Sequence, residues 1–234
     1  MDRPRLALLN AAHKAVETRR NFQRELDAEI ETFHAPSGQL PPDFGYDGFV
    51  VTGSAASVYW DEPWIGDLKT WVGEAVRAGL PALGVCFGHQ LLADVLGGSV
   101  QGMGTYEIGY RTVYQDGDNR LLAGTPDDLT VFTTHSDHVT EKPPGATVFA
   151  RNEYGIHGFR KNRVFAVQFH PEYDRSTATE IAASKDDELS ADRLQDVLEG
   201  ITDENYAAAC EAKRLFDNFL DYVEEVRVER LAAD

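Results

Sequence analysis

The run Leu83-Gly84-Val85-Cys86-Phe87-Gly88-His89-Gln90 constrains this chain more than any other stretch: an apolar segment breaks at glycines and restarts as an apolar helix. Residues 81–85 read as a buried strand, and residues 90–96 carry apolar positions at helical spacing. Between them, Gly84-Val85-Cys86-Phe87-Gly88 fits a G-x-nucleophile-x-G elbow with cysteine in the nucleophile position. A turn that sharp holds its central residue in a strained conformation, and small neighbours let the chain pass closely. The central side chain then projects at a helix N-terminus, where the macrodipole and free N–H groups favour a thiolate. The bland alternative is a structural cysteine at a strand end, since cysteine is among the most buried residue types. A catalytic Cys86 needs a base from elsewhere in the chain.

At 234 residues the chain is long enough for one large domain with a sizeable core, without a disulfide or metal staple. It has two cysteines, Cys86 and Cys210, and no Cys/His spacing for zinc, so no metal and no cofactor is expected. That usage fits a reduced compartment, and no signal pattern or membrane-length apolar run is visible, so a cytoplasmic location is expected. Acidic residues outnumber basic ones 39 to 22, for a net charge of −17. Such a surface repels phosphate backbones and anionic lipid, which argues against nucleic-acid and membrane partners. Adaptation to a salt-rich cytoplasm and an ordinary acidic surface are both open readings; a melting series in KCl separates them, because screening relieves self-repulsion.

Taken in order, the chain opens with a strand at residues 5–10 and a polar helical stretch to about Leu26. A second short strand covers residues 30–33, and Pro36, Gly38, Pro41 and Pro42 make an irregular loop. Residues 49–52 form a third strand that stops at Gly53-Ser54-Ala55-Ala56-Ser57. Residues 64–78 have helical spacing, with Trp64, Leu68, Trp71, Val72 and Val76 on one face. The Cys86 strand and helix follow, closed by Gly97-Gly98. This alternation predicts a three-layer α/β/α fold with a mostly parallel central sheet. From residue 99 to 169 the pattern changes to short strands at 108–114, 129–132, 147–150, 155–159 and 164–169, a small β-rich extension that returns to the main sheet. The turns between them include Asp116-Gly117-Asp118-Asn119 and Pro143-Pro144-Gly145. After Pro171, helices are expected at 177–184, 191–198 and 204–228. The expected organisation is a single domain over residues 1–234, with 175–234 a helical extension packed on it.

His170 is the best-placed base for Cys86, because it ends an apolar strand and opens His170-Pro171-Glu172-Tyr173. In α/β sheets, sites gather at the carboxyl ends of strands, where Cys86 also lies. Glu172, two residues on, could accept from the imidazole and fix its tautomer, while Pro171 stiffens the backbone between them. The competing reading is a structural histidine beside a solvated glutamate.

The two segments Gly84-Val85-Cys86-Phe87-Gly88-His89-Gln90 and Gln168-Phe169-His170-Pro171-Glu172 together closely resemble the class I glutamine amidotransferase family, over residues 47–174. The resemblance implies a flavodoxin-like fold. It also implies a Cys-His-Glu triad that opens the side-chain amide of glutamine through a γ-glutamyl thioester and releases ammonia. On matching positions, Cys86 is the nucleophile, His170 the base and then acid, and Glu172 the orienting carboxylate. Thr52-Gly53-Ser54-Ala55-Ala56-Ser57 is similar to the family's oxyanion loop, whose N–H works with that of Phe87; Ser54 and Ala55 stand where glycine and proline are frequent. His135-Ser136-Asp137-His138-Val139 resembles the stretch that presents backbone groups to the α-amino and α-carboxylate ends of glutamine, and Gln90 matches a substrate-contacting position. For His135 and His138 a surface-loop reading stays open.

Many family members feed ammonia to a synthase, such as those for guanylate, anthranilate or carbamoyl phosphate. Here the chain continues after Glu172 as helix, with no synthase pattern or ATP-binding glycine loop. Gly53-Ser54, the stretch from Asp61 to Trp64-Ile65, Cys86-Phe87-Gly88-His89-Gln90 and His170-Pro171-Glu172-Tyr173 together look most like the stand-alone, guanylate-synthase-like branch that includes γ-glutamyl peptidases. Three readings follow: a stand-alone hydrolase of glutamine or a γ-glutamyl compound, a glutaminase subunit serving a separate synthase, and a non-catalytic binding protein on the same scaffold.

Overall fold

Strand β1 (Arg5–Asn10) is buried from Leu6 onward, and its side chains alternate between two apolar layers, Leu6 and Leu8 in one, Ala7 and Leu9 in the other. A strand buried on both faces belongs inside a sheet covered on both sides. The computed structural model, which describes residues 3–117 and 119–233, contains that sheet. Strand β1 pairs in parallel with β2 (Glu29–His34) on one side and β3 (Gly48–Val51) on the other. Beyond β3 lie β4 (Ala82–Val85) and then β9 (Val164–Val167), also parallel. The sheet continues antiparallel through β8 (Gly155–Lys161), β7 (Thr147–Asn152), β5 (Ser99–Gln115) and β6 (Asp128–Glu141).

One face of the parallel half is covered by α2 (Pro63–Arg77) and α3 (Phe87–Val95), whose Ile65, Leu68, Trp71, Val72, Leu91 and Leu92 pack on Leu9, Phe49 and Val51. The predicted α2 stripe is present, with Trp64 and Val76 at its partly buried margins. The opposite face is covered by α1 (Ala15–Glu25) and by α7 (Arg214–Ala233), the last helix of the chain. Leu215, Phe216, Phe219 and Val223 of α7 are buried with Leu6, Leu8, Val50 and Leu83. At about 1.5–3 kcal/mol for each such side chain, this burial far outweighs the intrinsic propensity of the helix. Three further helices, α4 (Arg175–Ala183), α5 (Ala191–Glu199) and α6 (Asp203–Ala209), follow β9. Each starts on a side-chain cap, from Asp174, Ser190 and Thr202 respectively. A third apolar cluster joins α4 and α5 to Ile108 of β5 and Phe132 of β6.

Two departures from the sequence reading have physical causes. Strands β5 and β6 are 17 and 14 residues long, not short, because a register shift between Gly102 and Glu107 lets one ladder absorb an irregular stretch. The helix expected over 204–228 is two, broken by a 3-10 turn at Cys210–Lys213. The turn buries Ala212 and aims α7 at the sheet, whereas α6 has no buried residue. The turn expected at Asp116-Gly117-Asp118-Asn119 includes Asp118, which lies outside the described residues.

Candidate active site

Cys86 caps α3 at the end of β4, with φ 54° and ψ −105°, a region that L residues other than glycine rarely enter. The flanking glycines are steric requirements. A Cβ on Gly84 would stand 2.5 Å from the carbonyl oxygen of Gly88, and one on Gly88 would stand 2.2 Å from that of Val51. The elbow therefore depends on backbone passing backbone with nothing between. The backbone N–H of Cys86 donates to Val167 of β9 at 2.9 Å, which ties the elbow to the strand leading to His170.

His170 and Glu172 follow β9 and are buried, at 5% and 1% exposure. Nδ1 of His170 lies 2.8 Å from Oε1 of Glu172, and the imidazole stacks on the Tyr173 ring at 4.2 Å. Arg24 of α1 fixes the loop from outside, donating to the Glu172 carbonyl at 2.6 Å and to Asp174 at 2.8 Å. Burial works against the imidazolium, but the Glu172 carboxylate and the Cys86 sulfur together outweigh it and push His170 up to about 10. With that shift the His170 ring keeps its second proton at neutral pH. Gly53 closes the third side: a Cβ there would meet His170 Cε1 at 2.9 Å and the Cys86 Cβ at 3.6 Å. The hydroxyl of Ser54 accepts from the N–H of Ala56 at 3.1 Å. That side-chain turn holds the loop where glycine and proline are common in the resembling family. Phe87 opens α3, so its N–H belongs to a first turn whose amides have no intrahelical partner.

Gln90 is buried and donates to the Asp137 carbonyl at 3.0 Å and to Gln168 Oε1 at 3.1 Å. His135, Ser136 and Asp137 lie on β6, not on a surface loop, and His135 and Asp137 are buried. Thr134 and residues 135–137 line a cavity of about 140 Å³ that also reaches Cys86, Gln90 and Ser54. A second cavity of about 240 Å³ lies on the His170 side, bordered by His13, Lys14, Glu172, Tyr173 and Lys185. The sequence-derived residues Cys86, His170, Glu172, Gly53, Ser54, Gln90, His135, Ser136 and Asp137 therefore converge on the rims of these two adjoining spaces. His138 does not join them; its Nδ1 lies 3.1 Å from the Tyr154 carbonyl.

Sequence reasoning missed the polar cluster behind this wall. Oε2 of Glu107, on β5, lies 2.7 Å from Nε2 of His135 and 3.1 Å from Nε2 of His157 on β8. Asn152 donates to its other oxygen at 2.6 Å. The Nδ1 of His135 faces the Asp137 carbonyl at 2.8 Å, an obligate acceptor, so that nitrogen donates. Burial disfavours the Glu107 carboxylate, but hydrogen bonds from His135 and His157 prevail and hold it down at about 2. One His135 ring thus spans the Asp137 carbonyl on one side and Glu107 on the other. These three side chains also have the donor types of a cation site, with ligand atoms within 4.8 Å of one another. Their O···N separations match shared protons; ligands around a zinc ion at bond lengths of about 2.0–2.1 Å stand farther apart.

A family model described as glutamine amidotransferase class-I matches residues 11–185. The chain belongs to that family. Among class I glutamine amidotransferase relatives, the glutamine-hydrolysing GMP synthase of Nostoc punctiforme is 31% identical over 176 residues, 73% of this chain and 32% of that one. The GMP synthase of Thermomicrobium roseum is 38% identical over 126 residues, 53% of this chain and 23% of that one. This chain thus spans about a quarter to a third of the length of those synthases. Gamma-glutamyl peptidase 3 of Arabidopsis thaliana is 31% identical over 163 residues, 64% of this chain and 66% of that one. A glutamine amidotransferase of Thermotoga maritima superposes with a TM-score of 0.81 at 25% identity, over 94% of this chain and 100% of that one. The Methylobacillus flagellatus glutamine amidotransferase, at 21% identity and TM-score 0.80, shares the fold over 95% of this chain and 96% of its own. Among the described residues no helix is long and apolar enough to cross a membrane.

Proposed function

We propose that this class I amidotransferase chain is a cysteine hydrolase of γ-glutamyl amides, acting on glutamine or on a γ-glutamyl compound. The observation that carries the reading is Cys86 held at positive φ at the N-cap of α3, at the same cavity as a buried His170 ring whose Nδ1 lies 2.8 Å from Glu172. In the proposed cycle the Cys86 thiolate adds to the γ-carbonyl carbon. The oxyanion is met by the N–H groups of Phe87 and of the Gly53–Ser54 loop, each contributing about 3–4 kcal/mol to the transition state. As the C–N bond breaks, Nε2 of His170 gives its proton to the departing nitrogen, leaving a γ-glutamyl thioester and a neutral imidazole. Water then adds to the thioester, its proton passes to His170, and the C–S bond breaks to restore thiolate and imidazolium with release of glutamate. Glu172 holds the ring and stabilises its charge. Gln90 and residues 135–137 would hold the glutamyl end.

The test is turnover by the purified chain alone of glutamine and γ-glutamyl dipeptides, followed as released glutamate. Loss of turnover in Cys86→Ala is expected; unchanged turnover in that variant would overturn the reading. A second reading, a glutaminase that supplies ammonia to a separate synthase, is favoured by the match to one part of each GMP synthase. It predicts glutamine turnover that rises when a synthase partner is added.

A further inference from the structure

The two cavities meet at Cys86, and proton transfer decides how a substrate is divided between them. The departing nitrogen must lie beside Nε2 of His170, so the leaving group occupies the larger space, which His170 and Glu172 border. The glutamyl end then takes the smaller space along Gln90 and Asp137. Ammonia, close to water in size, needs only about 10–15 Å³ of such space. The cavity on the leaving-group side measures about 240 Å³. Its walls are apolar along Ala12, Tyr106, Tyr173 and Ile181, which suits a carbon skeleton more than a small hydrated molecule.

Its charged rim is unusual for this chain. Only six lysines are present in a sequence of net charge −17, and two of them, Lys14 and Lys185, border this cavity, with His13 beside them; Lys185 borders the smaller cavity as well, so Lys14 is the lysine particular to this side. Lys185 is engaged with Glu188 at 3.2 Å. Lys14 is exposed and makes no ion pair among the described residues. Of the residues that border it, His170 turns its ring toward Cys86, and Glu172 Oε2 is buried without a hydrogen-bond partner. A leaving amine would meet both: it takes a proton from the imidazolium and can donate an N–H to the free carboxylate oxygen. The far end of that amine would then reach Lys14.

We propose that this cavity is a leaving-group subsite for an amine that carries a carboxylate, so that the preferred substrates are γ-glutamyl amino acids, with Lys14 as the specificity contact. The proposal rests on the γ-glutamyl amide hydrolase reading given above. It is tested with γ-glutamylglycine against γ-glutamylglycinamide, a pair of nearly equal bulk that differs in charge at the far end, with glutamine as reference. The expected result is about a fivefold higher kcat/KM for the carboxylate substrate, the range of a part-exposed ion pair. Lys14→Arg retains that ratio, and Lys14→Glu inverts it. Lys161→Glu serves as the charge control, because Lys161 pairs with Val164 at the end of β9 opposite to His170; it leaves the ratio as in the wild type. Equal kcat/KM for the two substrates, or a ratio unchanged in Lys14→Glu, overturns the subsite while leaving the hydrolase reading intact. Absence of turnover on all three substrates overturns the hydrolase reading, and the subsite with it.

Discussion

Nε2 of His135 stands 2.7 Å from Oε2 of Glu107, with both side chains buried behind the candidate substrate wall. Because the other ring nitrogen holds the Asp137 carbonyl, Glu107 acts on the site through the backbone of residues 135–137. It is a positioning residue in the proposed reaction.

Replacing that carboxylate has two expected readouts. Glu107→Gln takes a buried acceptor away from two histidines and costs about 1–3 kcal/mol in a urea unfolding titration. In kinetics it raises the KM for glutamine more than it lowers kcat, because Cys86 and His170 do not touch it. Glu107 is held at about 2, below its ordinary unfolded value of about 4.3. Its stabilisation is therefore full above pH 4.3 and lost as pH falls toward 2. That acid-side loss should be smaller in Glu107→Gln.

The positive φ of Cys86 predicts an order of stability between two inactive variants. Cys86→Gly and Cys86→Ala both remove the thiol, but only alanine keeps a Cβ at φ 54°. The glycine variant should be more stable by about 1 kcal/mol, after about 0.5–1 kcal/mol of extra unfolded-state entropy is subtracted from the relief of strain. Paired thermal melts of the two proteins check it; an alanine variant of equal or greater stability would contradict stored strain at the elbow.

His170 predicts an alkaline loss. Its folded value of about 10 exceeds the ordinary 6.5, so the stabilisation it supplies is complete below about pH 6.5 and disappears as pH rises through 10. In the proposed mechanism the same deprotonation removes the acid that serves the leaving nitrogen. The kcat/KM profile should fall with an apparent pKa well above 7. A plateau that ends near pH 7 instead would show that the imidazolium is not held by Glu172 and Cys86.

Two glycine substitutions separate folding from chemistry. Gly88→Ala forces a Cβ to within 2.2 Å of the Val51 carbonyl, backbone against backbone, and should unfold the protein or destabilise it by more than about 3 kcal/mol. Gly53→Ala presses on the His170 ring at 2.9 Å, where a side chain can shift. The fold should survive in circular dichroism while turnover drops about a hundredfold, the scale of a misplaced catalytic group.

What the sequence disclosed follows from how far apart the interacting residues are. Gly84, Cys86 and Gly88 are decided within five residues by backbone sterics, and His170 and Glu172 by two, so both segments announce themselves. Glu107, His135 and His157 come from three strands; His135 stands out only through the segment that resembles the family's, and nothing local marks Glu107 or His157 as its partners. The stretch from His135 to Val139 is polar and reads as loop, yet it is β6, because its buried polar groups bond to Glu107 on the neighbouring strand and to Gln90 on α3. The break at Cys210–Lys213 was invisible for a similar reason. The run from Ala207 to Lys213 favours helix throughout, and only the position of the sheet makes the turn worthwhile.

The two helices on one face of the sheet come from opposite ends of the chain, α1 from residues 15–25 and α7 from residues 214–233. During synthesis, Leu6, Leu8, Val50 and Leu83 must therefore wait for the last helix before they are covered. Until then the ribosome carries a half-closed sandwich with an oily flank, vulnerable to association with its own kind. Production should accordingly be more sensitive to losses from the C-terminal helix than the position of the candidate site would suggest.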